Sequence, residues 1–347
     1  MPFDAKEILS TSPKHASRLF GTGREAVRKT FKDLAAAWHP DHSTDPKATE
    51  VFAHLVSLRD AALLGASPAA SAGPARDFVR ADGSPFAMRM LRSHDLDTGE
   101  LLIGPHSFAW RFDPAARDVA ESEERALGAF RFADPKMERE MRRFLPVLKR
   151  RIDLADGGAL LVQARADDDV LLADLIQAMA PDANGIRLPA VHAAWIGSGL
   201  FHIACWLGWA GLVHGAIGPE TVVVSPSTHE VRLLGGFGFS RAVGTRPEVL
   251  PGRSLDLLPR LAVSGSTLKP ADDGELIRLT LREALGDPAG GRLLRGAVPE
   301  PLARFLTLPP NDTPFADYAA WTKALEASWG RRRFAHLDQS AAAIYGV

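Results

Sequence analysis

Cysteine is almost missing, with Cys205 the single one in 347 residues. That excludes an intrachain disulfide and any cysteine-clustered zinc site. An excess of charge of either sign is missing too, since 41 Lys and Arg face 42 Asp and Glu, a formal net charge of −1. Such a balance gives no pull toward nucleic acid or an anionic membrane surface, and neither is an expected partner. Met1-Pro2-Phe3-Asp4 has neither the basic nor the apolar segment of a secretory signal, so the cytoplasm is the expected compartment. Long apolar runs are lacking as well. The nearest is Ile196 to Val213, 18 residues without a formal charge apart from any proton on His202. Ser198, Gly199, Gly208 and Gly211 interrupt it and no Lys or Arg flanks it closely, which predicts a buried helix rather than a span. Gly-x-Ser-x-Gly is absent, Gly197-Ser198-Gly199 having the wrong spacing, and no His-x-x-x-His pair with a third ligand occurs. A serine hydrolase and a metal centre are thereby set aside, and no internal repeat is visible.

What is present begins with length and 46% hydrophobic content, enough for two or three domains. Between Gly65 and Asp77, Ala, Ser, Pro and Gly dominate, which predicts a flexible linker, bounded here as 67–80. Ahead of it, Val27, Phe31, Leu34, Ala35 and Trp38 recur at helical spacing and predict one buried stripe. Arg24, Arg28 and Lys32 fall four apart on another face, with Lys29 beside them. Thr22 and Glu25 form a capping-box pattern that starts this helix. Asp45-Pro46 predicts the start of a second helix with the stripe Phe52, Leu55, Leu58 and Ala62, stopped by Gly65 and Pro68. Only Ala16, Leu19 and Phe20 offer an apolar face before Gly23.

His39-Pro40-Asp41 lies between the two helices, preceded by Phe31-Lys32-Asp33-Leu34-Ala35. In this setting residues 1–66 resemble a J-domain of the DnaJ type, an all-α helical hairpin. The resemblance implies a loop that docks on a DnaK-type chaperone and triggers hydrolysis of the partner's ATP. It departs at Arg59, where the family usually has an aromatic residue, and lacks the cysteine-rich zinc region of longer J-proteins. The physical reading agrees: Pro40 fixes its φ and stiffens the loop, Asp41 accepts charge-assisted hydrogen bonds, and Arg24, Arg28, Lys29 and Lys32 steer an acidic surface. A nucleic-acid-binding helix is the competing use of that face. It lacks an accompanying positive excess, because residues 1–66 hold 9 Lys and Arg against 8 Asp and Glu.

Downstream, Gly211-Leu212-Val213-His214-Gly215-Ala216-Ile217-Gly218-Pro219-Glu220-Thr221 resembles the catalytic loop of a protein kinase. Leu234-Gly235-Gly236-Phe237-Gly238 is similar to the metal-binding Asp-Phe-Gly loop, and Pro247-Glu248-Val249 to the Ala-Pro-Glu that ends the activation segment. The resemblance implies a two-lobed α+β domain, with a small lobe at 81–165 and a large lobe at 166–347. Ala159 to Gln163 is the expected last small-lobe strand, Asp168 to Met179 the first large-lobe helix, and Asp273 to Gly286 the central one. Asp113 to Glu124 reads as a long loop or a short exposed helix.

The departures bear on chemistry. Phosphoryl transfer uses a carboxylate that orients the hydroxyl, magnesium ligands and a phosphate-contacting lysine. Ala216 stands at the catalytic aspartate, Gly218 at the lysine two residues on, Thr221 at the metal-binding asparagine and Gly236 at the metal-binding aspartate. Ala129-Phe130-Arg131 is the best match to the strand bearing Ala-x-Lys, making Arg131, beside the acidic Asp167-Asp168-Asp169 run, the candidate for contact with a nucleotide and Glu138 or Glu140 its partner. No Gly-x-Gly-x-x-Gly precedes them. The expectation is a pseudokinase that is not an enzyme, holds no cofactor or metal, and binds a client protein while the J-domain recruits the chaperone. The alternative is an atypical phosphotransferase or ATP sensor.

Overall fold

A computed structural model describes residues 3–12, 16–21, 24–39, 43, 45–65, 73–330 and 334–346. The chain divides into two compact units. One comprises Met1–Ala72 with Arg331–His336 and Val347, and the other comprises Gly73–Gly330 with Leu337–Gly346.

The first unit is helical: α1 (Ala5–Ser10), α2 (Ser17–Phe20), α3 (Arg24–Trp38) and α4 (Ala48–Gly65). Val27, Phe31, Leu34, Ala35 and Trp38 are all buried, as the stripe predicts, and meet Val51, Leu55 and Leu58 of α4. Phe52 is only half-buried, and Val51 takes the central place in the core. Arg59 is 7% exposed with its guanidinium 4.7 Å from the centre of the Phe31 ring. A cation over a ring thus fills the aromatic position of the resemblance. The helix α1 was not foreseen, although Asp4 and Glu7 carry its signature: each side chain accepts from the other residue's backbone N–H. The Thr22 half of the expected capping box lies outside the described residues.

The second unit opens inside the stretch read as linker, with the hairpin β1 (Ala75–Val79) and β2 (Pro85–Arg89). A five-stranded antiparallel sheet follows, built from β3 (Arg92–Leu96), β4 (Gly99–Ile103), β5 (Ser107–Phe112), β6 (Leu148–Asp153) and β7 (Ala159–Ala164) in the order β3-β4-β5-β7-β6. Between β5 and β6 come α5 (Arg117–Gly128) and α6 (Pro135–Met141). The stretch read as a loop or short exposed helix is therefore largely a helix of three turns, and Val119, Ala120, Glu123 and Leu127 are its buried side.

Next come β8 (Val170–Leu171), α7 (Leu172–Ala178), α8 (Ala190–Ala210), β9 (Leu212–Val213), β10 (Val222–Ser225), β11 (Glu230–Leu233) and β12 (Arg241–Ala242). The remaining helices are α9 (Gly252–Leu257), α10 (Pro270–Ala284), α11 (Glu300–Thr307), α12 (Pro314–Trp329) and α13 (Ala341–Tyr345). By length and composition α8 is apolar enough to cross a membrane, yet it packs on α10, α12 and β11 with Leu200, Phe201, Ile203 and Leu207 fully buried. Its glycines explain the interruptions in the run. A Cβ on Gly197 would stand 2.6 Å from Cζ2 of Trp321, so only glycine lets α12 come this close. Beneath this packing lies a buried two-pronged ion pair, Arg278 to Asp317, at 2.7 and 2.8 Å.

Candidate functional site

In the helical unit His39 follows directly on α3, outside the helix, and its carbonyl accepts the Ser43 amide at 2.9 Å. Asp45 accepts the Lys47 amide at 2.8 Å, satisfying a donor at the approach to α4. Lys29 and Lys32 are exposed on α3. Arg24 and Arg28 lie on the same helix, but their side chains, and the whole of Pro40 and Asp41, fall outside the described residues. The imidazole of His39 is half-buried, with the ring of Phe52 edge-on at 5.0 Å.

In the second unit the loop 214–221 is organised from beneath. Asp273 on α10 accepts the amides of His214 and Gly215, both at 2.8 Å. Burial pushes this carboxyl up to about 7 against the pull of those two bonds. The His214 ring is fully enclosed, and burial lowers it to about 3, so it is a neutral imidazole. It meets Phe237 edge-on at 4.6 Å, Phe237 meets Phe130 at 4.9 Å, and Phe130 meets Trp206 at 5.3 Å. This row of rings joins the loops to α8.

Ala216 and Gly236 lie at the His214 end of that row, and Thr221 ties Ala216 to Gly218. The Thr221 hydroxyl donates to the Ala216 carbonyl at 2.8 Å and accepts the Gly218 amide at 3.0 Å, so it holds the loop's shape. Gly236 has φ +93, and a Cβ there would lie 2.9 Å from Cε1 of His214 and 3.2 Å from Cβ of Ala216. Beside Gly218, Arg253 of α9 reaches the Ile217 carbonyl at 3.3 Å, Glu283 at 2.5 Å and Glu220 at 3.8 Å. Two carboxylates around one guanidinium leave this corner acidic.

The strand expected to carry Ala-x-Lys differs from the sequence reading. The strand before the first long helix is β5, so Ala109-Trp110-Arg111, not Ala129-Phe130-Arg131, occupies the expected place. Arg131 lies exposed between α5 and α6, its carbonyl accepting the Trp206 indole N–H at 3.2 Å. Glu138 pairs instead with Arg142 at 2.9 Å, and Glu140 is exposed. Alternation along β5 sends Arg111 to Asp113 and Asp156. It turns Trp110 to the other face, against Gly235.

Sequence reasoning missed Glu123 altogether. It sits on the inner side of α5, 2% exposed, and its Oε2 accepts the Gly238 amide at 2.5 Å. Burial raises it to about 7, opposed by the amides of Gly238, Gly236 and Phe237. Its Oε1 has no hydrogen-bond partner among the described residues. A signal was available, since Val119, Ala120, Glu123 and Leu127 follow helical spacing, but a glutamate on the inner stripe reads as solvent-facing. Among the described residues no cluster of His, Cys, Asp and Glu forms a metal site.

No family model matches the chain. Over 86 residues at the N-terminal end it is 35% identical to chaperone protein DnaJ 1 of Aromatoleum aromaticum. The match takes in 24% of this chain and 22% of that protein, so the chain spans about a fifth of its curated relative. A double mutant of the Mycobacterium tuberculosis PknI kinase domain matches at a TM-score of 0.46 and 15% identity, over 68% of this chain and 95% of that one. The Cydia pomonella granulovirus kinase PK-1 gives 0.41 and 16%, over 57% and 70%.

These comparisons correct the expectation that the chain is not an enzyme. The solved structures it is similar to are described as kinases. Ala216, Gly218, Thr221 and Gly236 are the residues that occupy those loops. The chain joins an N-terminal J-domain-like helical region to a protein-kinase-like α+β domain.

Proposed function

We propose that the helical unit docks on a DnaK-type chaperone and stimulates its ATP hydrolysis, and that the kinase-like domain brings a protein client to it. The observation that carries this reading is His39, which follows α3 outside the helix, in the chain between α3 and α4. The exposed Lys29 and Lys32 of α3 add a positive face. Such charges raise the rate of encounter with an acidic partner more than the final affinity, and salt weakens them. The second domain adds local concentration: a client held on the same chain meets the chaperone as an intramolecular partner. The cytoplasm is the compartment in which this would occur.

Purified full-length chain should stimulate the ATPase of a DnaK-type chaperone, and His39→Gln should abolish that stimulation with the helical content by circular dichroism unchanged. Equal stimulation by the variant would sink the assignment.

The kinase-like domain supports a second, separable reading as a nucleotide-binding or phosphotransfer unit. It is favoured by Glu123, a buried carboxylate with one oxygen unpartnered among the described residues, facing the 235–238 loop from α5. A thermal shift with ATP and magnesium tests it. Nucleotide at a hundred times its dissociation constant should stabilise the domain by about 2.7 kcal/mol. No shift removes this reading and leaves the docking one untouched.

A further inference from the structure

The strap Phe334–His336 follows α12 in sequence but belongs to the helical unit. Within it, the ring of Phe334 lies 5.0 Å from the imidazole of His39, tilted by 51°. Phe52 of α4 approaches the same imidazole at 5.0 Å and 76°. Among the described residues, His39 therefore has one aromatic neighbour from its own hairpin and another from a strap nearly 300 residues away in sequence. The first is part of the hairpin's construction. The second is not needed to build it, because the core of α1 to α4 closes on Ile8, Val27, Phe31, Leu34, Trp38, Val51, Leu55 and Leu58 without Phe334.

We propose that Phe334 and its strap are a built-in cover over His39, an autoinhibitory contact that a docking chaperone displaces. This inference rests on the docking function proposed above and adds its regulation. A partner that engages the imidazole and the phenyl ring that rests on it compete for one place. Since the strap is part of the same chain, it competes at high effective concentration and lowers the apparent affinity by the fraction of molecules left uncovered. Ring–ring contacts of this size shift such an equilibrium by roughly two- to tenfold.

The test uses full-length wild type, Phe334→Ala, Phe334→Leu, His39→Gln and the Phe334→Ala/His39→Gln double variant, each titrated into a DnaK-type chaperone while ATP hydrolysis is followed. Phe334→Ala should reach half-maximal stimulation at roughly two- to tenfold lower concentration with the same plateau. Phe334→Leu, which keeps apolar bulk without the ring, should fall between it and wild type. The double variant should be flat. In a carbon–proton spectrum of the histidines, the His39 ring resonance should move in Phe334→Ala as the neighbouring ring current is lost. Identical curves for wild type and Phe334→Ala, with His39→Gln flat, overturn the cover and leave the docking function standing. Weaker stimulation by Phe334→Ala also overturns it, since Phe334 would then belong to the docking surface. No stimulation by either overturns both.

Discussion

The carboxylate of Glu123 accepts the backbone N–H of Gly238 at 2.5 Å, tying the inner side of α5 to the loop after Gly236. The ordinary partner of a buried carboxylate is a cation, and here it is main chain. The bond makes the position of α5 depend on the conformation of the loop, and the loop's on α5. Because the carboxyl is raised to about 7, its charge changes near neutrality.

That linkage has a definite sign. A carboxyl whose folded value is raised from about 4.5 to about 7 contributes stability that is fully present below its unfolded value and is lost as pH rises through 7. Asp273, also raised to about 7 by burial, acts in the same direction. Buried His214, lowered to about 3, acts the other way, because the unfolded chain takes up a proton there that the folded one does not. The difference between wild type and Glu123→Gln isolates one group. The variant should gain on wild type as pH rises from about 4.5 to 7, by roughly a few kcal/mol, and level off above. Chemical denaturation at half-unit pH steps reads this, and a pH-independent difference would refute it.

Gly236 is fixed by its φ of +93 and by the His214 ring, which a Cβ would approach at 2.9 Å. Gly236→Ala should therefore lower stability by about 1–3 kcal/mol, and Gly236→Asp by more, since it adds a charge in the same confined place. Thermal unfolding of the two variants measures it. An unchanged midpoint for Gly236→Ala would mean that the loop relaxes away from His214.

The legible parts of this chain were those whose signal is local. The α3 stripe stood out because Val27, Phe31, Leu34, Ala35 and Trp38 are spaced by the helix period. The 211–221 loop was readable because His214, glycines and the following Val222-Val223-Val224 crowd into a short span. The small-lobe side failed for a physical reason. Register along the chain cannot tell Ala109-Trp110-Arg111 from Ala129-Phe130-Arg131, and only strand pairing with β4 and β7 selects the first. Arg59 shows the complementary case. Its charge argued against a core position, yet the Phe31 ring beneath it supplies what an aromatic neighbour would.

Arg59 consequently should not tolerate a like-charged replacement. The planar guanidinium stacks on Phe31 at 4.7 Å, whereas a lysine ammonium is compact, strongly hydrated and poorly placed in a site only 7% exposed. Arg59→Lys is expected to lower stability of the helical unit by roughly 0.5–2 kcal/mol, and Arg59→Met, which keeps the bulk, by less than Arg59→Ala. Denaturant midpoints followed by helical ellipticity give the order. Equality of the lysine variant with wild type would assign the arginine a surface role only.

The pair Arg278–Asp317 is the strictest test of the second unit's packing. Both side chains are 2% exposed, the two oxygens meet two guanidinium nitrogens, and the remaining donors reach the carbonyls of Phe305 at 3.2 Å and Gly274 at 3.1 Å. Asp317 also accepts the backbone and side-chain amides of Asn311 at 2.8 and 2.7 Å. Removing one partner leaves a buried, uncompensated charge, so Asp317→Ala should lower stability by about 3–5 kcal/mol. Replacing both is a different matter, because desolvation of the two ions opposes much of their attraction. Arg278→Met/Asp317→Leu should accordingly be less destabilised than Asp317→Ala alone, the Met filling the space between the Phe201 and Phe305 rings that the guanidinium now occupies. A double variant as weak as the sum of the two single ones would show that the pair's hydrogen bonds to the loops, rather than the charge balance, hold α10 to α12.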